Sequence, residues 1–149
     1  MNFDINHLYL TTEGRIGRQT FWIGIVGLIV ASIVINIIVG ALFGWISFPT
    51  RLIQFIVQLA FAYPAYALMA RRFQDRAKPA TYAAVLIGIN ILYSLLALLG
   101  LIGAPGVPNM FGMLAGVVML VVAIWIIVEL GILRGTVGDN AYGPDPVQG

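Results

Sequence analysis

The feature that most constrains this chain is a run of 32 residues without a charged side chain, from Gln19 to Thr50. Three further long apolar stretches follow it. Eighteen or more consecutive apolar residues are enough to cross the hydrocarbon core of a bilayer, which is about 30 Å thick. The chain has a mean hydropathy of +0.97 and 9% charged residues, whereas soluble domains carry about 25%. The sequence therefore predicts an integral membrane protein.

The apolar stretches correspond to four transmembrane helices within a single all-α domain that covers residues 1–149. Their predicted ranges are about 20–46, 52–70, 79–102 and 110–133. Pro and Gly residues between 104 and 109 mark the turn between the last two helices. The first helix follows basic residues, as in a signal peptide, but its apolar run is about twice the usual 7–15 residues. We therefore expect this helix to remain uncleaved.

The basic residues are distributed very unevenly. Arg51 lies beside the turn between the first two helices, and the other seven of the eight lie on the opposite side of the predicted bundle: Arg15, Arg18, Arg71, Arg72, Arg76, Lys78 and Arg134. Short loops rich in Lys and Arg remain on the cytoplasmic side of a membrane. We therefore expect both termini and the loop 71–78 to be cytoplasmic.

Polar residues inside the predicted helices form pairs spaced four apart, a spacing that puts both members on one helix face. The pairs are Ser32 with Asn36, Gln54 with Gln58, and Asn90 with Ser94. All fall in the half of the bundle away from the basic cluster, and they are expected to face one another because an unpaired amide in hydrocarbon is costly. Two interpretations stay open, an interhelical hydrogen-bond network and a small polar cavity open to the outside. We expect no ionisable residue beside these pairs, and this argues against transport through such a cavity.

Small residues spaced four apart allow helices in a bilayer to approach closely. Gly40 with Gly44, and Gly112 with Gly116, have this spacing. We interpret both pairs as helix-packing positions.

Glu129 lies about one turn inside the basic end of the fourth helix. An ionisable residue within a membrane span is by default a candidate functional site with a charged partner. Arg71 or Arg72 is the predicted partner, with Arg134 as the alternative. The pair could be a structural ion pair or part of a proton or ligand site.

Three segments near the predicted cytoplasmic side resemble the motifs of one family. Residues 14–22 (Gly-Arg-Ile-Gly-Arg-Gln-Thr-Phe-Trp) resemble its opening Gly-Arg-Ile-Ser-Arg-x-x-Phe-Trp, and residues 71–75 (Arg-Arg-Phe-Gln-Asp) its Arg-Arg-Leu-His-Asp. Residues 138–146 (Gly-Asp-Asn-Ala-Tyr-Gly-Pro-Asp-Pro) resemble its closing Gly-x-Asn-x-Tyr-Gly-Pro-Asp-Pro. The chain is thus similar to the domain of unknown function 805 family, the YhaH-like proteins. This resemblance implies a small four-helix protein of the bacterial inner membrane and no established activity.

Two departures from the family pattern affect chemistry. Gln74 stands where the family usually has His, and it cannot relay protons near neutral pH. Gly17 replaces a Ser, so that a helix cap worth about 1 kcal/mol is lost.

The three motifs are expected to converge on one cytoplasmic face that binds a partner protein or anionic lipid head groups. Its predicted residues are Arg15, Arg18, Arg71, Arg72, Asp75, Arg76, Lys78, Asn140, Tyr142 and Asp145. We expect the tail to turn at Gly143 and fold back, so that Asp139 or Asp145 meets the arginines.

Other functions have little support in the sequence. With no Cys and His7 as the single histidine, a zinc, haem or other cofactor site is not expected, and a Ser-His pair lacks a base. Basic residues at a membrane surface without interleaved aromatics argue against nucleic-acid binding. The sequence predicts a non-catalytic accessory or scaffold protein; a transporter or channel using the polar pairs and Glu129 is the alternative.

Overall fold

The computed structural model describes residues 5–104 and 106–147 of the chain. Most of them lie in α-helices: α1 (Ile5–Leu10), α2 (Arg18–Phe43), α3 (Phe48–Asp75), α4 (Thr81–Leu98) and α5 (Met110–Ile126). Helix α5 continues directly into a π-helical segment, Ile127–Ile132. Strands β1 (Gly103–Ala104) and β2 (Val107–Pro108) pair antiparallel between α4 and α5. The described part of the chain is therefore mostly helical, with one small hairpin.

Four of the described helices are long and apolar enough to cross a membrane: α2, α3, α4 and α5 with its π-helical extension. Large apolar side chains such as Ile33 and Val117 are more than half exposed, whereas Arg72 and Asp75 are buried. Proteins that fold in water show the reverse arrangement. The surface is thus suited to lipid, and buried charges such as Arg72 and Asp75 are paired with each other inside.

The long helices alternate in direction, so the bundle has two chemically different ends. Gly24, near the start of α2, packs against Leu68, near the end of α3, and Phe73 near the end of α3 contacts Tyr82 at the start of α4. We call the end that holds Arg15, residues 71–78 and the C-terminal tail the basic end. The end that holds residues 43–50 and the hairpin is the far end.

Helix α3 is longer at both ends than the predicted range of 52–70. It begins at Phe48 because the Ser47 hydroxyl accepts a hydrogen bond from the Thr50 amide (3.3 Å) and caps the helix. It ends at Asp75, so Arg71 and Arg72 belong to the last turns of the helix and not to a loop. Helix α4 is shorter than predicted, because residues 79–80 and 99–102 lie outside it.

Among the described residues, the predicted glycine pairs do not mediate packing between the long helices. A Cβ on Gly40 would overlap the ring of Trp45 in the following turn, and Gly44 ends α2 with φ of +81°. Gly112 lies against the carbonyl group of Ile102, whereas no described atom lies within 4 Å of a Cβ at Gly116. The glycine at the α2–α3 interface is instead Gly24, whose Cβ would lie 2.7 Å from a Leu68 methyl carbon.

Candidate functional site

A cluster of buried charges occupies the basic end and is centred on Asp75. The Asp75 carboxylate forms ion pairs with Arg15 (3.0 Å) and with Arg72, and the three side chains are 3%, 1% and 0% exposed. Buried ions are tolerated when each has a counter-charge and further hydrogen bonds. The side chain of Asp75 therefore joins the segment before α2 to the end of α3.

Arg72 caps the end of the π-helical segment. Its Nε donates to the carbonyl of Leu130 (2.7 Å) and its Nη2 to that of Leu133 (2.6 Å). The last carbonyls of a helix lack partners within the helix and carry partial negative charge, so a guanidinium stabilises them. Arg72 thus connects α3 to the end of the π-helical segment through backbone carbonyls, and it forms no ion pair with Glu129 among the described residues.

The predicted partner of Glu129 was wrong. Glu129 Oε1 accepts hydrogen bonds from Arg76 Nε (3.0 Å) and Lys78 Nζ (2.6 Å). Because α3 extends to Asp75, Arg72 and Arg71 lie inside the fold, and Arg76, one turn later, reaches the carboxylate. Arg71 lies elsewhere and donates to the carbonyl of His7 in α1 (2.8 Å).

The tail folds back onto the cluster through carbonyl oxygens. The Arg15 guanidinium donates to the carbonyls of Thr136 (2.6 Å), Gly138 (2.7 Å) and Gly143 (3.1 Å). The side-chain amide of Asn140 donates to the Gln74 carbonyl (3.0 Å). Arg15, which precedes the first long helix, therefore holds the opposite end of the chain.

The predicted carboxylate contacts of the tail hold only in part: Asp145 lies near Arg15 and Arg134, and backbone amides together with these charges lower its pKa, but it forms no ion pair with either arginine. Asp139 is exposed, and neither it nor Asp145 forms an ion pair with an arginine in the described part of the chain. Asp145 instead accepts hydrogen bonds from the backbone amides of Gly138 and Val147 (both 3.0 Å), and Asn140 Oδ1 accepts from the Tyr142 amide (2.8 Å). These residues shape the tail, which presents its carbonyls to Arg15.

The Asp145 bonds predict an acid-sensitive tail. The amides of Val147 and Gly138 hold the pKa of Asp145 below its ordinary value, so the tail is stabilised above that ordinary value and loses the contribution as the pH falls through the lowered pKa. Hydrogen-exchange protection of the Gly138 amide should persist at pH 5 and decline below about pH 4, the ordinary range of an Asp. Asp145→Asn should reduce the protection at pH 5, and Asp139→Asn should not; equal protection in wild type and Asp145→Asn would contradict the assignment.

Some residues of the cluster were missed at the sequence level. A Cβ on Gly135 would overlap the Asp75 carboxylate, and the Thr136 amide donates to the Asp75 carbonyl (2.8 Å). Trp22 Nε1 donates to the carbonyl of Gly131 (3.2 Å), and its ring lies where a Cβ on Gly131 would. The glycines at 131 and 135, on either side of the predicted helix end, were the sequence signal that other side chains approach the backbone closely there.

A cleft of about 280 Å³ opens beside this cluster. Its lining residues are Gly17, Arg18, Arg72, Asp75, Arg134, Gly135, Asp145 and Val147. Arg18 and Arg134 are exposed; one Nη of Arg18 donates to the Ile132 carbonyl (3.1 Å), and the Arg134 guanidinium has no acceptor among the described residues. The two arginines thus present positive charge to the outside of the bundle.

A larger cavity, of about 460 Å³, lies in the far half of the bundle. The polar residues of its wall are Ser32, Asn36, Arg51, Gln54, Gln58, Tyr93 and Ser94. Gln58 is hydrogen-bonded to Asn90 across α3 and α4, whereas Asn36 bonds the Ser32 carbonyl of its own helix (2.8 Å). The hydrogen-bond network and the polar cavity, the two interpretations left open, therefore each hold in part. One hydrogen bond joins two helices, and most members of the pairs line one cavity. The expectation that no ionisable residue accompanies the pairs was wrong, because Arg51 lines the same cavity.

Within residues 5–104 and 106–147, no group of three or more His, Cys, Asp or Glu side chains is placed to hold a metal ion.

Comparison with known proteins gives a family and no closer relative. Neither the curated proteins nor the solved structures contain a match to this chain. Residues 9–144 match the family described as "Protein of unknown function (DUF805)". This match covers α2 to α5, Arg15, residues 71–78 and the C-terminal tail as far as residue 144. It confirms the resemblance seen in the three motifs, and the chain belongs to the DUF805 family.

Proposed function

We propose that this chain is a non-catalytic accessory protein of the bacterial inner membrane, with both termini in the cytoplasm, which binds anionic lipid head groups at its basic end. The four long apolar helices support membrane insertion. The concentration of seven of the eight basic residues at one end supports the orientation.

The observation that carries this proposal is the cleft between Arg18 and Arg134. Arg15 and Arg72 are engaged with Asp75 and with backbone carbonyls, and Arg71 with α1. They are therefore not available to an external ligand, whereas Arg18 and Arg134 are exposed at the cleft. An arginine can donate two parallel hydrogen bonds to one phosphate group.

The start of α2 adds a second source of anion affinity. Its N-cap residue, Gly17, lines the cleft and supplies no side-chain cap. The first amides of a helix are unsatisfied donors at the positive end of the helix dipole, and they bind phosphate groups readily. Asp75 and Asp145 also line the cleft, but arginines and backbone amides already satisfy their oxygens.

A lipid fits this site better than a protein partner because the cleft adjoins the apolar surface. Arg18 is the first residue of α2, and Trp22 follows one turn later, 38% exposed. Tryptophan at that level is typical of the membrane–water interface, where each basic residue near an anionic leaflet contributes about 1 kcal/mol.

The test is native mass spectrometry of the protein extracted gently with its lipids. We expect the double variant Arg18→Gln/Arg134→Gln to retain phosphatidylglycerol severalfold less than wild type, because the two exposed guanidinium groups are removed, and to retain phosphatidylcholine equally. Lys78→Gln is the matched control, since Lys78 lies at the same end but is bound to Glu129. Equal phosphatidylglycerol retention in wild type and double variant would contradict the proposal, as would the selective loss of a bound protein.

The far-end cavity favours a second candidate function, a small transporter or channel. Five of the six residues in the predicted polar pairs contribute to its wall: Ser32, Asn36, Gln54, Gln58 and Ser94. Glu129 is at the other end of the bundle and cannot act in this cavity. Any ligand of this cavity would therefore be bound without contact to Glu129.

A further inference from the structure

Arg51 is a cation inside the wall of the far-end cavity. It lies in the first turn of α3, where its guanidinium carbon is 5.9 Å from the ring centroid of Phe48. The guanidinium also approaches Gly100, where a Cβ would lie 3.9 Å from Nη1. Its Nε is buried and has no hydrogen-bond acceptor among the described residues. Buried polar groups in proteins are normally hydrogen-bonded, so an orphaned Nε calls for a partner.

No described carboxylate is near enough to neutralise Arg51. The acidic residues described are Glu13, Asp75, Glu129, Asp139 and Asp145. Asp75 is separated from Arg51 by about 36 Å of helix at 1.5 Å per residue, and Glu129, Asp139 and Asp145 belong to the same end. The segment that contains Glu13 also lies there, because the Gln74 amide, oriented to donate, bonds the Gly14 carbonyl (2.6 Å). Within the described residues, the far end has a positive charge without a counter-charge.

The remainder of the cavity wall is amphipathic. The wall includes the amides of Asn36, Gln54 and Gln58 together with rings and aliphatic side chains such as Phe55, Phe61 and Leu98. A ligand site of this kind combines mostly apolar walls with a few polar groups that fix orientation. The wall therefore suits a molecule that has one anionic group and an apolar body.

We propose that the far-end cavity binds an amphiphilic monoanion, whose carboxylate or phosphate group is held by Arg51 and whose apolar part lies against Phe55 and Phe61. A single guanidinium with no neighbouring acid matches one negative charge. Gln54, one turn after Arg51 on α3, is placed to donate to the same anionic group. The anion could be a free organic acid or the head group of a membrane lipid, since both supply the same chemistry.

The test uses hexanoate and hexanol as probes, with the purified full-length protein in a neutral detergent. Binding is measured by isothermal titration calorimetry. We expect wild type to bind hexanoate about tenfold or more tightly than hexanol, since a hydrogen bond between charged groups is markedly stronger than one between neutral groups. Arg51→Gln should lose this preference, and Arg51→Lys should keep part of it. Arg134→Gln, which removes a basic residue at the other end, should behave as wild type.

Equal affinity of wild type for hexanoate and hexanol would overturn the proposal, and this comparison needs no variant that could fail to fold. A preference for hexanoate that survives in well-folded Arg51→Gln would also overturn it. Lipid retention then separates the two sources: loss of one phosphatidylglycerol molecule in Arg51→Gln indicates a lipid head group, and unchanged lipid indicates a free acid. The basic-end proposal stands or fails separately, because its variants do not touch this cavity.

Discussion

Replacing Asp75 by Asn is expected to destabilise the protein by about 3–5 kcal/mol, the typical cost of removing one partner from a buried ion pair. Asp75 is the counter-ion of both Arg15 and Arg72, and all three side chains are buried. An amide leaves two buried guanidinium groups without their ion-pair partner. Helix α3, the segment before α2 and the tail meet at this residue, so the loss should affect the whole basic end. Thermal unfolding in a mild detergent, followed by circular dichroism, measures the effect.

Asp139→Asn is the matched control for this experiment. It makes the same chemical change in an exposed side chain of the C-terminal tail. Substitutions of exposed side chains usually change stability by less than about 0.5 kcal/mol. Comparable melting temperatures for the two variants would contradict the assignment of Asp75 as the central counter-ion. A second observation should accompany the loss of stability: chymotrypsin should cut after Tyr142 faster in Asp75→Asn than in wild type, because Arg15 no longer holds the tail carbonyls in place.

The sequence predicts the helices well because each long span has few alternatives. An uncharged run such as 19–50 can be accommodated in a membrane as a helix, since helical geometry satisfies the backbone within the segment. The helix ends were harder to predict. Arg71 and Arg72 ended the predicted second span because charged residues are costly in hydrocarbon, whereas the structure continues α3 to Asp75. The charges are accepted there because their partners come from elsewhere in the chain.

Partners of charged residues could not be predicted from the sequence because they depend on helix rotation and depth. Glu129 lies in a π-helical segment, where the angular spacing of side chains differs from that of an α-helix. Its ion-pair partners are Arg76 and Lys78. The contacts of Arg15 are mostly with carbonyl oxygens, which every residue carries and no motif identifies. The predicted second helix begins just after Arg51 and leaves it beside the turn, because the hydroxyl cap at Ser47 does not stand out in the sequence. Once that start is known, Arg51 lies in the helix and three residues before Gln54.

The two ends of the bundle use arginine in different ways. At the basic end, Arg15 and Arg72 have a buried carboxylate and a set of carbonyl acceptors, so their charges stabilise the fold. At the far end, Arg51 has neither a described carboxylate partner nor an acceptor for its Nε. The donors of Arg15 and Arg72 are occupied by the Asp75 carboxylate and by backbone carbonyls, which leaves them little capacity for an external anion. Ligand binding is therefore expected where arginines that have no ion pair among the described residues line a cleft or cavity, which are Arg18 and Arg134 at the basic end and Arg51 at the far end.

Replacing Gly112 by Ala is expected to destabilise the protein by about 1–3 kcal/mol, the usual cost of overpacking, and to distort the wall of the far-end cavity. A Cβ at this position would overlap the carbonyl oxygen of Ile102 and lie 2.9 Å from its carbonyl carbon. The backbone cannot move away easily, because Asn109 holds both sides: its side chain accepts from the Gly112 amide (2.8 Å) and donates to the Leu101 carbonyl (3.0 Å).

The same change at Gly116, one turn later in α5, meets no described atom within 4 Å. Gly116→Ala should therefore be neutral or stabilising by about 0.5–1 kcal/mol, the helix preference of Ala over Gly. Melting temperatures of the two variants in detergent should thus move in opposite directions from wild type, or Gly112→Ala alone should fall. A Gly112→Ala protein as stable as Gly116→Ala would show that the hairpin does not contact α5 as described, and the boundary of the cavity that holds Arg51 would then have to be redrawn.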